Sequence, residues 1–296
     1  MMKLKNTIDV LLLICLVGLN SSLAQSNRVD WIFQAQDKQI AEEKLNLFAL
    51  KSSIPISELI NDIGLSFLGT PYVTATLENG LEEKLVINLR ELDCTTFAEN
   101  CLALARTVKS GKIDFQSYAT ELEGIRYRDG HRNLYSSRLH YFSEWIHNNH
   151  QKGFISEASN QNGEKEVRTI NFMSSHPQSY PALKANPELV PIIAQQENML
   201  SQIGFQYFPK SNLTNLYKNL QHGDIVGLTS SIKGLDINHV GIIIRKDNEF
   251  YLLHASQSEK KVMVSGEPLS YFLKPSSKNS GIMIARPVFS TEQFPK

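Results

Sequence analysis

The sequence has no excess of charge of either sign. Its 30 Lys and Arg residues balance 30 Asp and Glu residues, so the formal net charge is zero. A nucleic-acid-binding face or a polybasic membrane anchor requires a basic excess, and we therefore expect neither kind of partner. The 296 residues are 42% hydrophobic, which predicts a globular protein with a sizeable core rather than a disordered chain.

Long hydrophobic runs are also missing. The longest lies at 10–19, after Lys3 and Lys5, and is short of the roughly 20 residues that a membrane span needs. Ser22-Leu23-Ala24 then offers the small residues that a signal peptidase reads. We predict a signal peptide over 1–24, a single domain over 25–296, and export to the periplasm without stable membrane insertion. Secretion, or tethering through an uncleaved signal, is the alternative.

The sequence motifs of several enzyme classes do not occur. There is no H-E-x-x-H or C-x-x-C pattern for zinc, no G-x-S-x-G pattern for a serine nucleophile, and no Walker or G-x-G-x-x-G loop for a nucleotide. His147 and His150 have a spacing that could ligate one ion, but they lie in an asparagine-rich segment. We therefore expect neither a metal ion nor another cofactor.

Cysteine is rare, and after signal cleavage only Cys94 and Cys101 remain. On one helix, residues seven positions apart have Cα atoms roughly 10 Å apart, which is too far for a disulfide. An exported protein that keeps a free thiol needs a reason for it, and catalysis is one such reason. Cys101 falls on an apolar stripe and is predicted to pack in the core.

Cys94 is predicted to occupy the first turn of a helix. Asp93 can cap the free N–H groups of that turn, and Gly111 is a typical stop. The positive end of the helix is expected to favour the thiolate. The alternative is that Cys94 is a small buried hydrophobe. Apolar residues repeat at helical spacing along this stretch, at Phe97, Cys101, Leu104 and Val108.

Helical and extended patterns alternate along the chain, which predicts an α+β fold. Helices are expected over 37–50, after Pro55, and over 187–205. A hairpin is expected from strands at 73–77 and 85–89 around a turn at 78–80. From His222 onward the pattern predicts an antiparallel meander. Its strands are expected at 224–228, 238–245, 250–255, 261–264 and 281–286.

His239 and His254 are the histidines whose positions suggest chemistry. Their midpoint falls in the predicted turn at 246–249, so in a hairpin they are expected to lie opposite one another on one face. One imidazole could then accept the thiol proton while the other fixes its tautomer. The alternative is that both are ordinary histidines of the sheet.

Four segments in chain order resemble the NlpC-type superfamily of papain-like bacterial cell-wall hydrolases. The resemblance implies that Cys94 is the nucleophile, His239 the base and His254 the group that orients the base. It also implies a papain-like core, one helix packed on five or six antiparallel strands, over about 56–111 and 220–290. N-terminal helices and a large helical insertion over about 112–219 flank that core. The four segments are Leu68–Val73, Leu92–Phe97, His222–Val226, and His239–Ile243 with Leu253–Ser256.

The nucleophile segment departs from the usual Asp-Cys-Ser-Gly of that superfamily and reads Asp93-Cys94-Thr95-Thr96. With 127–130, Ser137-Arg138 and 171–174, it resembles the N-acetylmuramoyl-L-alanine amidase-like branch. The resemblance implies cleavage of the bond between muramic acid and L-alanine in muropeptides, including anhydro-muramyl ones, without a cofactor. The alternatives are a D-glutamyl–diaminopimelate endopeptidase and a non-catalytic peptidoglycan-binding module.

Further site residues are expected on both sides of the nucleophile. The resemblance places Tyr72 beside Cys94, where Tyr72 and Asp93 would support the oxyanion or the nucleophile. Four arginines between 126 and 138 have only Asp129 as a nearby acid, so they could grip the carboxylates of a stem peptide. An ordinary solvated basic face is the alternative. We predict substrate contacts at Tyr127, Arg128, Ser137 and Arg138, and sugar stacking by Tyr127, Tyr135 or Tyr141.

Overall fold

The structure is a computed structural model that describes residues 31–78, 80, 82–160 and 162–290. The predicted signal peptide lies outside the described residues. The described residues from Trp31 onward belong to one folding unit. The helices are α1 Ala35–Phe48, α2 Ile56–Leu65, α3 Cys94–Ser110, α4 Phe115–Arg126, α5 Phe142–Gln151, α6 Phe172–Ser175, α7 Pro181–Ala185, α8 Leu189–Ile203, α9 Leu213–Asn219 and α10 Leu269–Phe272.

Strands of the described residues form a short parallel pair and one large antiparallel sheet. The large sheet has the order β4-β5-β10-β6-β7-β8-β9, and β3 also pairs with β10. The strands are β1 Trp31–Ile32, β2 Leu85–Val86, β3 Ile155–Glu157, β4 Glu164–Glu166, β5 Phe205–Pro209, β6 Ile225–Ser230, β7 Ile237–Lys246, β8 Glu249–Ser256, β9 Lys261–Val264 and β10 Asn279–Pro287.

The α+β class is confirmed, and every strand predicted after His222 is present. The core contributes five strands to the sheet, β6 to β10, as predicted, and within the described residues the whole sheet has eight. The additional strands β3, β4 and β5 come from the segment predicted as a helical insertion. They extend the sheet beyond β10, so the insertion is built onto the core sheet rather than beside it.

Helix α3 is the central helix of the fold. Every residue from Thr96 to Val108 is buried, and the helix packs against α2, α4, β7 and β8. Cys101 is fully buried among apolar neighbours, as predicted for a core residue. The helix ends at Gly111, whose left-handed φ of 75° stops it as expected. A helix so enclosed has little freedom to shift, and its first residue, Cys94, is correspondingly fixed.

The predicted hairpin between 73–77 and 85–89 does not form. Ala75 has a left-handed φ of 58°, which bends the chain in the middle of the expected strand. Residues 69–72 instead join the edge of the large sheet, where Val262 donates its N–H to the carbonyl of Thr70 at 2.8 Å. Strand β2 pairs in parallel with β1. The residue pattern within each segment could not show that the pairing partners lie elsewhere in the chain.

None of the described helices combines the length and apolar composition needed to cross a bilayer.

A buried ion pair joins α3 to α4. Arg126 Nε donates to Glu99 Oε2 at 2.7 Å, and its Nη1 donates to the carbonyl of Val86 at 2.6 Å. Both side chains are almost fully buried. Removing one partner therefore leaves the other charge without compensation in the core.

We expect Arg126→Met to lower the free energy of unfolding by about 3–5 kcal/mol, because Glu99 would stay buried and unpaired. Urea denaturation followed by circular dichroism measures the loss. Lys38→Met is the control, since Lys38 and Glu42 form an exposed pair of the kind worth about 0–1 kcal/mol. Equal losses in the two variants would contradict the expectation.

Candidate active site

Cys94 is the first residue of α3, and Asp93 caps the helix. Asp93 Oδ1 accepts the N–H of Thr96 at 2.7 Å, and Thr96 Oγ1 accepts the N–H of Asp93 at 2.9 Å. This reciprocal capping box confirms the predicted cap and places Thr96 in it. Cys94 and Cys101 are both free, and Cys94 is half-buried. The thiol is thus held at the helix end on a fixed backbone.

The thiol lies next to the start of β7. The backbone N–H of Val240, the residue after His239, faces the Cys94 sulfur and acts to lower the pKa of the thiol. Burial and the charge of Asp93 nevertheless raise the pKa of the Cys94 thiol to about 11, against the opposing effect of the Val240 and Thr95 donors. The expectation that the helix end would favour the thiolate is therefore wrong. Desolvation outweighs the N-terminal donors, and the resting group is a thiol.

His239 and His254 lie side by side, with His239 Nε2 and His254 Nδ1 2.6 Å apart. The prediction placed them opposite one another, whereas in the structure they lie diagonally across the hairpin. The hairpin pairs Ile242 with Leu253, which places His254 across from Gly241. A Cβ on Gly241 would lie 3.3 Å from His254 Cβ, so the glycine leaves room for the His254 ring. The turn forms at 246–249 as predicted, but its centre lies one residue beyond the midpoint of the two histidines, so they are offset while still sharing a face.

Both imidazoles are neutral. Burial and the neighbouring His254 lower the pKa of His239 to about 3, and burial lowers the pKa of His254 to about 4. In a neutral pair one ring nitrogen donates and the other accepts. If Nδ1 of His239 is to accept a proton, its Nε2 must carry the hydrogen and donate to His254 Nδ1. The His254 ring thus fixes the tautomer that a base at His239 requires.

Tyr72 is held beside the nucleophile by backbone pairing on two sides. Its N–H donates to the carbonyl of Lys260 at 2.9 Å, and Leu92 donates to the carbonyl of Pro71 at 3.0 Å. Burial, followed by the nearby Cys94 and Asp93 charges, raises the pKa of Tyr72 to about 12. The phenol therefore stays protonated and can act as a hydrogen-bond donor near the sulfur.

Acidic residues distant in sequence neutralise the arginines of the insertion. Arg138 makes a bidentate bond to Glu83, at 2.9 and 2.7 Å, and a bond to Glu78 at 2.7 Å. Arg128 pairs with Glu144. These acids lie 16, 55 and 60 positions from their arginines, so the sequence around the arginines does not show them. The arginines are therefore not a free basic face.

The other two predicted substrate residues are also engaged within the protein. Tyr127 is buried and donates to Glu83 at 2.7 Å. Ser137 donates to the carbonyl of Leu134 at 2.7 Å. Substrate contact by Tyr127, Arg128, Ser137 and Arg138 stays a prediction.

An aromatic pocket of about 300 Å³ opens between the segment after Tyr72 and the segment before His239. Ala75 lines one side and Leu235 the other. Burial lowers the pKa of His140, also in the lining, to about 3, so that ring is neutral. Tyr180 and His140 were not predicted, because no local pattern marks them. The aromatic lining consists of Tyr135, His140, Tyr141 and Tyr180.

The part of the chain that the structure describes contains no group of three or more His, Cys, Asp or Glu side chains arranged to hold a metal ion.

We expect Asp93→Asn to speed alkylation of Cys94 by iodoacetamide at pH 8 by on the order of threefold. Asparagine caps a helix as well as aspartate does, but it removes the charge that raises the thiol pKa. In the parent protein the rate should still be rising at about pH 9, because the thiol pKa lies above that value. Mass spectrometry of the labelled peptide measures the rate. An unchanged or lower rate at an unchanged melting temperature would contradict this assignment.

Comparison with known proteins gives a consistent result. Residues 62–282 match the N-acetylmuramoyl-L-alanine amidase-like (AmiA-like) family. The crystal structure of an N-acetylmuramoyl-L-alanine amidase from Bacteroides uniformis is 39% identical, with a TM-score of 0.75, and the alignment covers 79% of this chain and 99% of that one. No curated protein matches the chain.

Two further crystal structures are similar. A Bacteroides fragilis protein described as a candidate xylanase is 40% identical, with a TM-score of 0.71, over 75% of this chain and 98% of that one. A Legionella pneumophila protein is 19% identical, with a TM-score of 0.64, over 86% and 96% of the two chains, and shows the same fold. The family match and the identity over most of the chain lead to one conclusion: the protein belongs to the N-acetylmuramoyl-L-alanine amidase-like family.

Proposed function

We propose that the protein is a cysteine amidase that hydrolyses the bond between N-acetylmuramic acid and L-alanine in peptidoglycan fragments, including anhydro-muramyl peptides. The observation that carries the proposal is a free thiol at the start of α3, beside a strand whose His239 is paired with His254. The description of the Bacteroides uniformis relative as an N-acetylmuramoyl-L-alanine amidase supports the choice of bond. The amino-terminal sequence supports export, and we place the activity in the periplasm.

Cys94 Sγ attacks the carbonyl carbon of the muramic acid lactyl group, and His239 Nδ1 takes the thiol proton. The tetrahedral intermediate collapses to a thioester as the C–N bond breaks, and His239 gives the proton to the departing amine of L-alanine. Water, deprotonated by His239, then hydrolyses the thioester and restores the thiol. His254 accepts the Nε2–H of His239 throughout and holds the ring in place.

The resting site holds a neutral thiol and a neutral imidazole rather than an ion pair, because burial disfavours charge on both. Hydrogen bonds among the described residues do not include one between the thiol and either imidazole, so proton transfer requires Cys94 and His239 to come within hydrogen-bond distance. Proton transfer then accompanies attack, and the charge that develops moves onto the substrate oxygen. Stabilising that oxygen becomes the main electrostatic task of the site.

Two groups are placed to stabilise the oxyanion. The N–H of Cys94 is at the first position of α3, where no helical carbonyl can accept it. The Tyr72 phenol, kept protonated by burial and the nearby negative charges, supplies a second donor. A donor of this kind is typically worth about 3 kcal/mol of transition-state stabilisation.

The aromatic pocket suits the sugar side of the scissile bond. Pyranose rings pack on aromatic faces, whereas stem peptides carry carboxylates that need cations. No Lys or Arg is among the described residues that line the pocket. Its acidic residue, Glu78, is neutralised by Arg138. We propose that the muramoyl group occupies this pocket and that Arg138 holds the pocket wall.

Incubation with a defined anhydro-muramyl tetrapeptide, followed by mass measurement of the products, tests the proposal. We expect intact tetrapeptide and free sugar, and a Cys94→Ala variant with no activity. Cys101→Ala, which alters the other free thiol, is the control and should keep its activity. Sugar that retains L-Ala-D-Glu would indicate the endopeptidase instead.

Other outcomes of the same experiment would contradict the amidase more broadly. Binding without turnover would indicate a peptidoglycan-binding module. Cleavage of xylan would indicate a glycosidase, whose chemistry normally uses two carboxyl groups. A Cys94→Ala protein as active as its parent would rule out the thiol mechanism.

We expect Tyr72→Phe to lower kcat by about 100-fold with little change in KM, because it removes one oxyanion donor and keeps the ring. Steady-state kinetics on the same muropeptide measures the effect. Tyr271→Phe, which alters an exposed tyrosine of α10, is the control. A Tyr72→Phe enzyme with a raised KM and an unchanged kcat would assign the phenol to substrate binding instead.

A further inference from the structure

Strand β7 contains a bulge immediately before His239. The ladder pairs Leu228 with His239 but Thr229 with Ile237, so Asn238 is an additional residue on β7. Residues two apart in a regular strand share a face, but across a bulge they do not. Ile237 and His239 therefore lie on opposite faces of the sheet. His239 is the first residue of the regular ladder after the bulge, and that ladder places it on the face where it meets His254.

Asp236 ties down the bulged end of β7. It is 1% exposed, and its two carboxylate oxygens accept different backbone N–H groups. Oδ1 accepts from Ile237 and Oδ2 from Ser143, each at 2.7 Å. The Asp236 carbonyl accepts the N–H of Ser230, at the end of β6, at 2.8 Å. One buried residue thus joins β6, β7 and the first turn of α5.

Helix α5 is firmly seated at this point. Its first residue, Phe142, packs so closely over Gly227 of β6 that a Cβ on the glycine would overlap the ring. Ile237 contacts the same place, with its Cγ2 2.9 Å from that Cβ position. A negative carboxylate at the N-terminus of a helix is also favourable. The start of α5 is therefore a rigid support for the Asp236 carboxylate.

We propose that Asp236 is a positioning residue for His239, clamping the bulged start of β7 to α5 and β6 so that the imidazole keeps its place beside His254. The proposal rests on the proposed function, in which His239 is the base. Without the carboxylate, the N–H groups of Ser143 and Ile237 lose their acceptor, and the start of β7 can separate from α5 and β6. His239, the first residue of the regular ladder after the bulge, would then lose its fixed position beside His254.

The test compares Asp236→Ala, Asp236→Asn and Asp224→Ala in the full-length enzyme. Asp224 is a matched control, a fully buried aspartate at the opposite end of β6 that accepts from Gln221 and Arg286. Its loss should destabilise the same sheet far from the bulge. Proton NMR detects the hydrogen-bonded ring N–H of the histidine pair, assigned by its loss in His254→Ala. Kinetics and melting temperatures complete the comparison.

We expect Asp236→Ala to lower kcat by about 100-fold at similar KM, and to lose the ring N–H signal. Asp236→Asn should recover part of both, because its amide oxygen can still accept from Ser143. Asp224→Ala should lower the melting temperature at least as much, yet keep the signal. A retained signal in Asp236→Ala, or equal kcat losses in the two alanine variants, would overturn the proposal. If the parent does not cleave muropeptides, the proposed function fails, while the NMR comparison still tests the clamp.

Discussion

The geometry of the site depends on one constraint, the meeting of the first turn of α3 with the start of β7. Helix α3 is enclosed by α2, α4 and the sheet, and Asp93 fixes its first turn. The Val240 N–H faces the Cys94 sulfur at this junction. Because neither element can move independently, the thiol and His239 are placed by the core itself rather than by flexible loops. Under the proposed function this is the preorganisation that covalent catalysis requires.

The same enclosure determines the charge state of the site. Burial raises the thiol pKa and lowers both imidazole pKa values, so the resting pair is neutral. A preformed thiolate would be more nucleophilic, but it is also the form that oxidants attack. In the proposed exported enzyme, a thiol that ionises only during attack reduces that exposure. The cost is that reactivity depends on donors aimed at the substrate oxygen, which is the role proposed for Tyr72.

Local signals in the sequence predicted the elements well, and long-range pairing limited the rest. The Asp93 cap, the apolar stripe of α3 and the strands after His222 depend on near neighbours, and these predictions were correct. The hairpin turn closes at Asp247, with its left-handed φ of 54°, inside the predicted turn, but the pairing of Lys246 with Glu249 around it sets the two histidines diagonally instead of opposite. The bulge at Asn238 depends on β6 and α5, and Arg138 depends on acids 55 and 60 positions away. The residues next to Asn238 or Arg138 in the sequence do not indicate any of these partners.

The insertion supplies most of the aromatic pocket and part of the support for β7. It donates to the Asp236 carboxylate through the N–H of Ser143, extends the sheet through β3, β4 and β5, and carries most of the aromatic pocket. The Legionella protein shows that this fold persists at 19% identity, and a fold alone does not select the bond to be cut. In the proposed amidase the core supplies the thiol and the base, which any amide could use. The insertion supplies the walls, so selection of the muramoyl side depends on Tyr135, Tyr141 and Tyr180 being held in fixed register with His239.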